Sequence, residues 1–291
     1  MHHAATGSRR TIHAAIATLL VGAAVLACSD SPSEPQDIDV TINFAAEVNG
    51  TAFACGTQYS NVGASNSTIT PTDFRMYVHD VRLLTSGGAE VPVALDQDSW
   101  QRDNLALLDF ENGSASCVNG TPATNTAIRG TAPAGDYTGI RFKLGVPFEM
   151  NHQDQTQAQA PLDIGALFWS WNGGYKFARI DHTSAAQPNG WNVHLGSTGC
   201  QPTGNPTTPA TACNNQHRPE ITIAGFNIAS DVVSADYGRL LAGSNLDVNA
   251  TGTASGCMSF PGDTDCPAVM NRFGLSYEGS NSSGQVFLQK K

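Results

Sequence analysis

Histidines and a pair of tryptophans are the residues of this chain whose types and spacing point to chemistry. His79, His152 and His194 each lie within or at the end of a strand-like segment. Neutral imidazole is the commonest metal ligand in proteins, so three histidines that converge from separate strands can bind copper or zinc. A single histidine is more often a hydrogen-bonded or surface residue. The prediction of a metal site therefore depends on the three rings meeting in the fold.

The Trp169-Ser170-Trp171 segment lies between the second and third of these histidines, among Gly, Asn and Pro residues. Alternate residues of a strand face the same side, so the two rings can cover the core, can stack on a sugar together with Tyr175, or can border a metal site. Three functions remain open on this pattern. They are a copper-binding protein, a carbohydrate-binding surface module, and a copper oxidoreductase with an open coordination position.

Composition and motifs argue against several other classes of function. The formal net charge is −10 and no cluster of Lys and Arg occurs after residue 10, which argues against binding to nucleic acid. Neither a Gly-x-Ser-x-Gly elbow nor a P-loop is present. Glycoside hydrolysis needs a carboxylate pair, and Asp80 with Asp181 or Asp109 with Glu111 have the right residue types. Such residues in β-protein loops are mostly turn formers or solvated, so we expect a protein that is not an enzyme and has no catalytic residues.

The N-terminal residues have the features of an export signal. Two arginines precede an apolar run over residues 14–27, which is too short for a permanent membrane span. The run ends in Val-Leu-Ala-Cys, which resembles the lipoprotein box of bacteria, in which the cysteine, here Cys28, is lipidated. We expect a signal peptide over residues 1–27, a lipidated polar tether over 28–37, and one β domain over 38–291. The protein is then held in the periplasm or at the outer membrane by its lipid anchor alone.

Six cysteines remain if Cys28 carries lipid. They are Cys55, Cys117, Cys200, Cys213, Cys257 and Cys266. An even number in an exported chain favours disulfides. Closeness in the sequence pairs Cys200 with Cys213 and Cys257 with Cys266, which leaves Cys55 with Cys117. Six cysteines allow fifteen pairings. A zinc or copper site built on cysteine is the rival interpretation, but the sequence contains no Cys-x-x-Cys.

Strand patterns dominate the chain after the tether. Alternation from Ile38 to Phe44 predicts a first strand with one buried face. Asp73 to Leu84 predicts a long strand that places His79 on the face opposite Phe74. Other predicted strands cover residues 51–55, 89–95, 137–144, 176–180, 191–195, 220–228 and 284–288, with long loops at 57–72 and 201–212 and short helices at 236–242 and 267–273. The sequence thus predicts an all-β fold, an antiparallel sandwich or barrel-like single domain with disulfide-pinned loops.

Five motifs in a fixed order resemble those of one family. DFRMYVHDVRLL, LLDFENGSASCVNGT, GVPFEMNHQD, FWSWNGGYKFARID and HLGSTGC are similar to motifs of the MbnP family of periplasmic copper-binding proteins. The similarity runs from about Ile38 to the end of the chain. Several long motifs in order are much more specific than any single one.

The resemblance implies a copper-binding protein that acts in copper acquisition or homeostasis. It implies a partner, an MbnH-like di-haem enzyme of the cytochrome c peroxidase or MauG type, which oxidises the first tryptophan of the Trp-x-Trp motif to kynurenine. Carried over to this chain, the modified residue is Trp169. Trp171 is its companion and lies beside the metal ligands without being one of them. His79, His152 and His194 fall within shared motifs and are the expected copper ligands. Indole offers only an N–H donor, whereas kynurenine has an aryl amine and a ketone that can bind the metal or a ligand.

Overall fold

The computed structural model describes residues 36–203 and 207–291. The predicted signal peptide, the lipidation site at Cys28 and the tether up to residue 35 lie outside the described residues. The first strand begins at Asp37, at the end of the predicted tether. Each helix within the described ranges is too short or too polar to span a bilayer.

Short strands make up most of the described chain. In order they are β1 (Asp37–Val48), β2 (Thr51–Ala52), β3 (Tyr59–Val62), β4 (Ser67–Thr85), β5 (Glu90–Pro92), β6 (Ala94–Leu95), β7 (Gln101–Arg102), β8 (Leu105–Asp109), β9 (Ala127–Pro133), β10 (Tyr137–Leu144), β11 (Phe168–Ser170), β12 (Gly174–Tyr175), β13 (Ala178–Ser184), β14 (Trp191–Leu195), β15 (Thr198–Gln201), β16 (Ala212–Asn215), β17 (Glu220–Ala224), β18 (Val232–Asp236), β19 (Gly256–Cys257) and β20 (Leu288–Lys290). The α-helices are α1 (Phe148–Asn151), α2 (Tyr237–Leu241) and α3 (Cys266–Arg272), and 3-10 turns cover Gln155–Gln157 and Gly165–Leu167.

Two sheets carry most of these strands. The larger sheet has the order β17-β10-β4-β13-β14-β19, with β3, β5 and β8 also paired to β4. The smaller sheet has the order β20-β18-β1-β9-β6, with β2 paired to β1. The hairpins β11–β12 and β15–β16 form two separate two-stranded sheets. The all-β fold predicted from the sequence is confirmed, although β1 with β18 and β14 with β19 pair in parallel.

The core lies between the two sheets. Phe44 of β1 meets Phe142 of β10 in an edge-to-face contact with ring centroids 5.8 Å apart. Phe74 of β4 stacks at 6.3 Å on Phe287, which precedes β20. Aromatic pairs of this kind add to the area that they bury, so the two sheets are joined by specific contacts as well as by apolar surface.

Two local predictions fail. The predicted loop at 57–72 contains β3 and the start of β4, which pair with each other. The predicted strand at 284–288 is wrong in position, because β20 begins at Leu288. Over residues 73–79 both faces of β4 are buried, including Arg75 and Tyr77, because β4 lies at the centre of the larger sheet. The two predicted helices are confirmed as α2 and α3.

The disulfide pairing predicted from proximity is confirmed. The bonds join Cys55 to Cys117, Cys200 to Cys213, and Cys257 to Cys266. With the described cysteines oxidised, none of them is a free thiolate ligand for a metal ion.

Candidate metal centre

Trp169 lies in the β11–β12 hairpin with its indole half-buried. The second strand of the hairpin begins at Gly174, whose φ is +73° and whose Cβ position is filled by the amide of Asn151, so only glycine fits there. The indole lies over the backbone of Gly196 and within 5.5 Å of the Phe260 ring. Phe260 is itself 50% exposed. One side of the indole is therefore supported by backbone, while the ring remains reachable from solvent.

His152 follows α1 and is tied to the Trp-x-Trp segment through the main chain. A carbonyl oxygen only accepts, so Nδ1 donates to the carbonyl of Trp171, at 3.1 Å. Nε2 then accepts from the side-chain amide of Asn151, at 3.0 Å. Burial, together with the charge of Arg218, lowers the pKa of His152 against the opposing effect of the Trp171 carbonyl. The ring is neutral at pH 7 and carries its lone pair on Nε2.

His79 is positioned by a β-bulge in β4. Lys143 of β10 lies opposite His79 and Arg141 lies opposite Arg82, so two residues of β4 face one residue of β10. Asp80, inside the bulge, has a φ of +53°. Its carboxylate accepts from Arg82 Nε at 2.8 Å and from Lys143 Nζ at 3.0 Å, and these bonds hold the unusual backbone in place.

The ring of His79 borders a cavity of about 440 Å³ that Phe148 and Arg218 also line. Its Nδ1 donates to the carbonyl of Gly145 at 2.8 Å. Burial lowers the pKa of His79 to about 4, so this imidazole is also neutral at pH 7. The ring of His152 lies 4.9 Å from the ring of Phe148. The structure therefore brings two of the three predicted ligands near one phenylalanine, His79 at the cavity that Phe148 lines and His152 in contact with its ring.

His194 lies in another part of the larger sheet. Its Nε2 donates to Asp181 at 2.9 Å, and its buried Nδ1 has no hydrogen-bond partner among the described residues. It pairs with Arg179 of β13, which pairs with Arg75 of β4, four residues before His79. The backbone of His194 is therefore two strand spacings across the sheet and four residues along β4 from that of His79. These two distances together correspond to a separation of about 16 Å. The structure does not bring His194 beside the other two predicted ligands.

A fourth histidine, which was not predicted as a ligand from the sequence, contacts the glycine that supports Trp169. His217 Nδ1 donates at 2.8 Å to the carbonyl of Gly196, the glycine that supports Trp169. Burial lowers the pKa of His217. The next residue, Arg218, lines the cavity at His79. No sequence signal marks His217, because its contact with Gly196 depends on long-range packing.

These four imidazoles share a feature of metal-ligating histidines. One ring nitrogen of each is bonded to an acceptor oxygen, which fixes the tautomer and leaves a lone pair on the other nitrogen. The donor chemistry therefore fits copper. In the described ranges, however, ligand atoms lie within 4.8 Å of one another in only two groups of three, His152 with Cys200 and Cys213, and Glu111 with Cys55 and Cys117. No three imidazoles of the described residues meet at one point.

Acidic residues near β4 form a buried ion-pair network. Asp73 accepts from Arg75 Nε at 2.9 Å and pairs with Arg179 Nε at 3.1 Å. Arg179 Nε also bonds Asp181 at 2.8 Å. Asp109 lies near this network, and burial raises its pKa to about 8, with the charge of Glu111 adding to the rise. The buried arginines give Asp73 and Asp181 a structural role.

Comparison with known proteins places the chain in a family. A model of the MbnP family matches residues 37–259. Among solved structures, the chain is similar to MbnP from Methylosinus trichosporium, with 32% identity and a TM-score of 0.75 over 88% of this chain and 98% of that one. No curated protein matches the chain. The family match covers most of the chain and the structural likeness almost all of the relative, so the chain belongs to the MbnP family.

Proposed function

We propose that this protein is an exported, lipid-anchored copper-binding protein whose Trp169 is oxidised to kynurenine by an MbnH-like di-haem partner. The protein is the substrate of that oxidation and not itself an enzyme. The observation that carries the proposal is the placement of Trp169 in a member of the MbnP family. Its indole is half-exposed, rests on Gly196 and is linked through that glycine to the neutral imidazole of His217.

The oxidation is balanced with peroxide as the oxidant and the di-haem partner as the catalyst. Two molecules of hydrogen peroxide convert the indole to N-formylkynurenine and release two waters. Hydrolysis of the formyl group then gives kynurenine and formate. Because the ring of Trp169 is open to solvent on one side, a partner enzyme has access to it without unfolding the domain.

The imidazoles supply the donors for copper. His79 and His152 are neutral at pH 7 and each has one nitrogen fixed by a backbone carbonyl. The third donor is either His194, predicted from the sequence, or His217, which shares Gly196 with the tryptophan. The rings are not gathered in the unmodified protein, which is in keeping with copper binding that depends on conversion of Trp169.

Mass mapping tests the modification. Protein produced with the di-haem partner should yield a Trp169 peptide that has lost one carbon and gained one oxygen. Trp191, which is completely buried, is the internal control and should remain unmodified. Copper-loaded protein with an intact Trp169 would refute the proposed mechanism.

Copper titration of alanine variants tests the donors. His79→Ala and His152→Ala should each weaken binding by at least about tenfold, since removal of even an outer-shell partner has an effect of that size. Comparison of His194→Ala with His217→Ala identifies the third donor. His182→Phe, a change in the core, is the control and should leave affinity unchanged. If all of these variants bind copper with the same affinity as the wild type, the imidazoles are not copper ligands.

A further inference from the structure

The Cys200–Cys213 disulfide and His152 form one compact group. The sulfur of Cys213 lies 3.4 Å from His152 Nε2, and that nitrogen and both sulfurs lie within 4.8 Å of one another. The two cysteines are directly opposite in the β15–β16 hairpin, with Cα atoms 3.8 Å apart. The ladder of the hairpin holds both side chains beside the imidazole independently of the bond between the sulfurs.

We propose that reduction of this disulfide creates a Cu(I) site formed by the two thiolates of Cys200 and Cys213 and by Nε2 of His152. A dithiol supplies two electrons and two protons. The sulfur–sulfur bond breaks, two thiols form, and the dithiol becomes a disulfide. Cu(I) then displaces the thiol protons into solvent and gains soft sulfur ligands, which a cuprous ion prefers. The inference rests on the proposed function only for the identity of the metal.

The location of this disulfide favours its reduction without global unfolding. Cys200, Ala210 and Cys213 form a small apolar cluster of their own, and Phe148 is the one hydrophobic residue of the described chain that packs against it from outside. The cluster is separate from the main core between the sheets. Segments with few buried apolar contacts open locally at a lower free energy than core strands do. A dithiol can therefore reach these sulfurs while the two sheets remain folded.

Within the described residues, the other two disulfides have no comparable nitrogen donor, and they serve as internal controls. Glu111 lies near the sulfurs of Cys55 and Cys117, but both of its carboxylate oxygens already accept from backbone N–H groups. A carboxylate is also a hard ligand that suits Cu(I) poorly. The Cys257–Cys266 bond belongs to no group of three ligand atoms in the described part of the chain. The proposed site is thus specific to the β15–β16 hairpin.

The experiment uses the full exported protein. Dithiothreitol reduces it and is then removed under anaerobic conditions, and thiol alkylation with peptide mapping identifies the bond that opened. Cu(I) is titrated in competition with bicinchoninate, and X-ray absorption reports copper–sulfur scattering. We expect copper–sulfur scattering and at least about tenfold tighter binding in the reduced protein than in the oxidised protein. Equal affinity with no sulfur scattering, or a Cys200–Cys213 bond that opens only on unfolding, would overturn the proposal.

Two variants locate the new site. Cys200→Ser with Cys213→Ser removes both sulfurs, so treatment with dithiol should then produce neither sulfur scattering nor tighter binding. His152→Ala keeps the thiols and should weaken Cu(I) binding to the reduced protein by at least about tenfold. Circular dichroism and the thermal midpoint verify that each variant is folded. Alkylation of the thiols in the reduced wild-type protein blocks the same two sulfurs without any substitution and should also abolish the tighter binding. Tighter binding that persists in the double variant would assign the effect to another site.

The outcomes also separate this inference from the proposed function. If the protein with intact disulfides and kynurenine at position 169 does not bind copper, the proposed function is refuted. Copper–sulfur scattering from the reduced protein would still test the Cu(I) site at Cys200 and Cys213. A normal imidazole site without any sulfur signal after reduction would refute the inference alone.

Discussion

A methyl group at position 196 tests whether the backbone holds Trp169 as described. A Cβ on Gly196 would lie 2.7 Å from Cη2 of Trp169, closer still to Cζ3, and 3.0 Å from the carbonyl oxygen of Tyr175. Non-bonded carbon atoms settle about 3.5–4.0 Å apart, so the indole must move outward by roughly 1 Å in Gly196→Ala. Overpacking of this kind costs about 1–3 kcal/mol of unfolding free energy. The backbone of Gly196 has no positive φ, so the strain arises from these contacts, chiefly the one with the ring, and not from the backbone conformation.

Thermal denaturation and kynurenine yield measure the effect. In a domain of this size, a loss of 1–3 kcal/mol lowers the melting temperature by roughly 2–12 °C. Displacement of the indole should also change its fluorescence maximum and the fraction of protein converted by the di-haem partner. Gly87→Ala is the matched control, because the nearest atom to its Cβ is Thr85 Oγ1 at 3.8 Å. If Gly196→Ala has the same melting temperature and the same conversion as the wild type, the indole does not rest on this glycine.

The buried charges and the buried imidazole of the core provide two further predictions. Burial lowers the pKa of His182 from 6.5 to about 4, so its contribution to stability is complete above pH 6.5, and about 3 kcal/mol is lost as the pH falls to 4. Urea unfolding at several pH values should show this loss in the wild type and a smaller one in His182→Phe, and an equal loss in both would contradict the assignment. Asp73→Asn removes the hydrogen-bonded carboxylate of the buried guanidinium of Arg75, leaving only the longer 3.8 Å contact with Glu111, and should destabilise the fold by about 3–5 kcal/mol. Asp103→Asn, at an exposed ion pair, should change the free energy of unfolding by less than about 0.5 kcal/mol. Equal urea midpoints for Asp73→Asn and Asp103→Asn would refute the expected difference between the buried and the exposed ion pair.

Local sequence patterns predict much of the fold because strand alternation is a local property. The bounds of β10 and β14 agree with the prediction, and short helices occur where helical periodicity was found. Strand β4 shows the limit of this reasoning. Its central place in the larger sheet buries both faces, and only the pairing of distant strands determines that. The strand over Tyr59–Val62 was missed because its pattern is polar and short.

The candidate site is predictable in part for the same reason. His79 and His152 stand out in their motifs, and the structure places both beside Phe148. The role of Gly196 as the contact between Trp169 and His217 is a tertiary property, so no motif reveals it. The pairing of the cysteines was predictable because nearby cysteines close short loops, whereas the approach of His152 to one of these bonds was not.

The single extra residue at Asp80 has a consequence for how the chain tolerates insertions and deletions. In a strand without a bulge, either the odd-numbered or the even-numbered residues face a given side along the whole length. The extra residue in β4 reverses this parity, so even-numbered residues before the bulge and odd-numbered residues after it face the same side of the sheet. Loss of Asp80 would restore uniform parity and would invert either the half that carries Tyr77 and His79 or the half that carries Leu83. A change of length by one residue at this point would therefore either exchange the two buried faces over residues 73–79 or turn the buried Val81 and Leu83 to the partly exposed face. The same change at the open turn of Gly87 and Gly88 would alter only a surface loop.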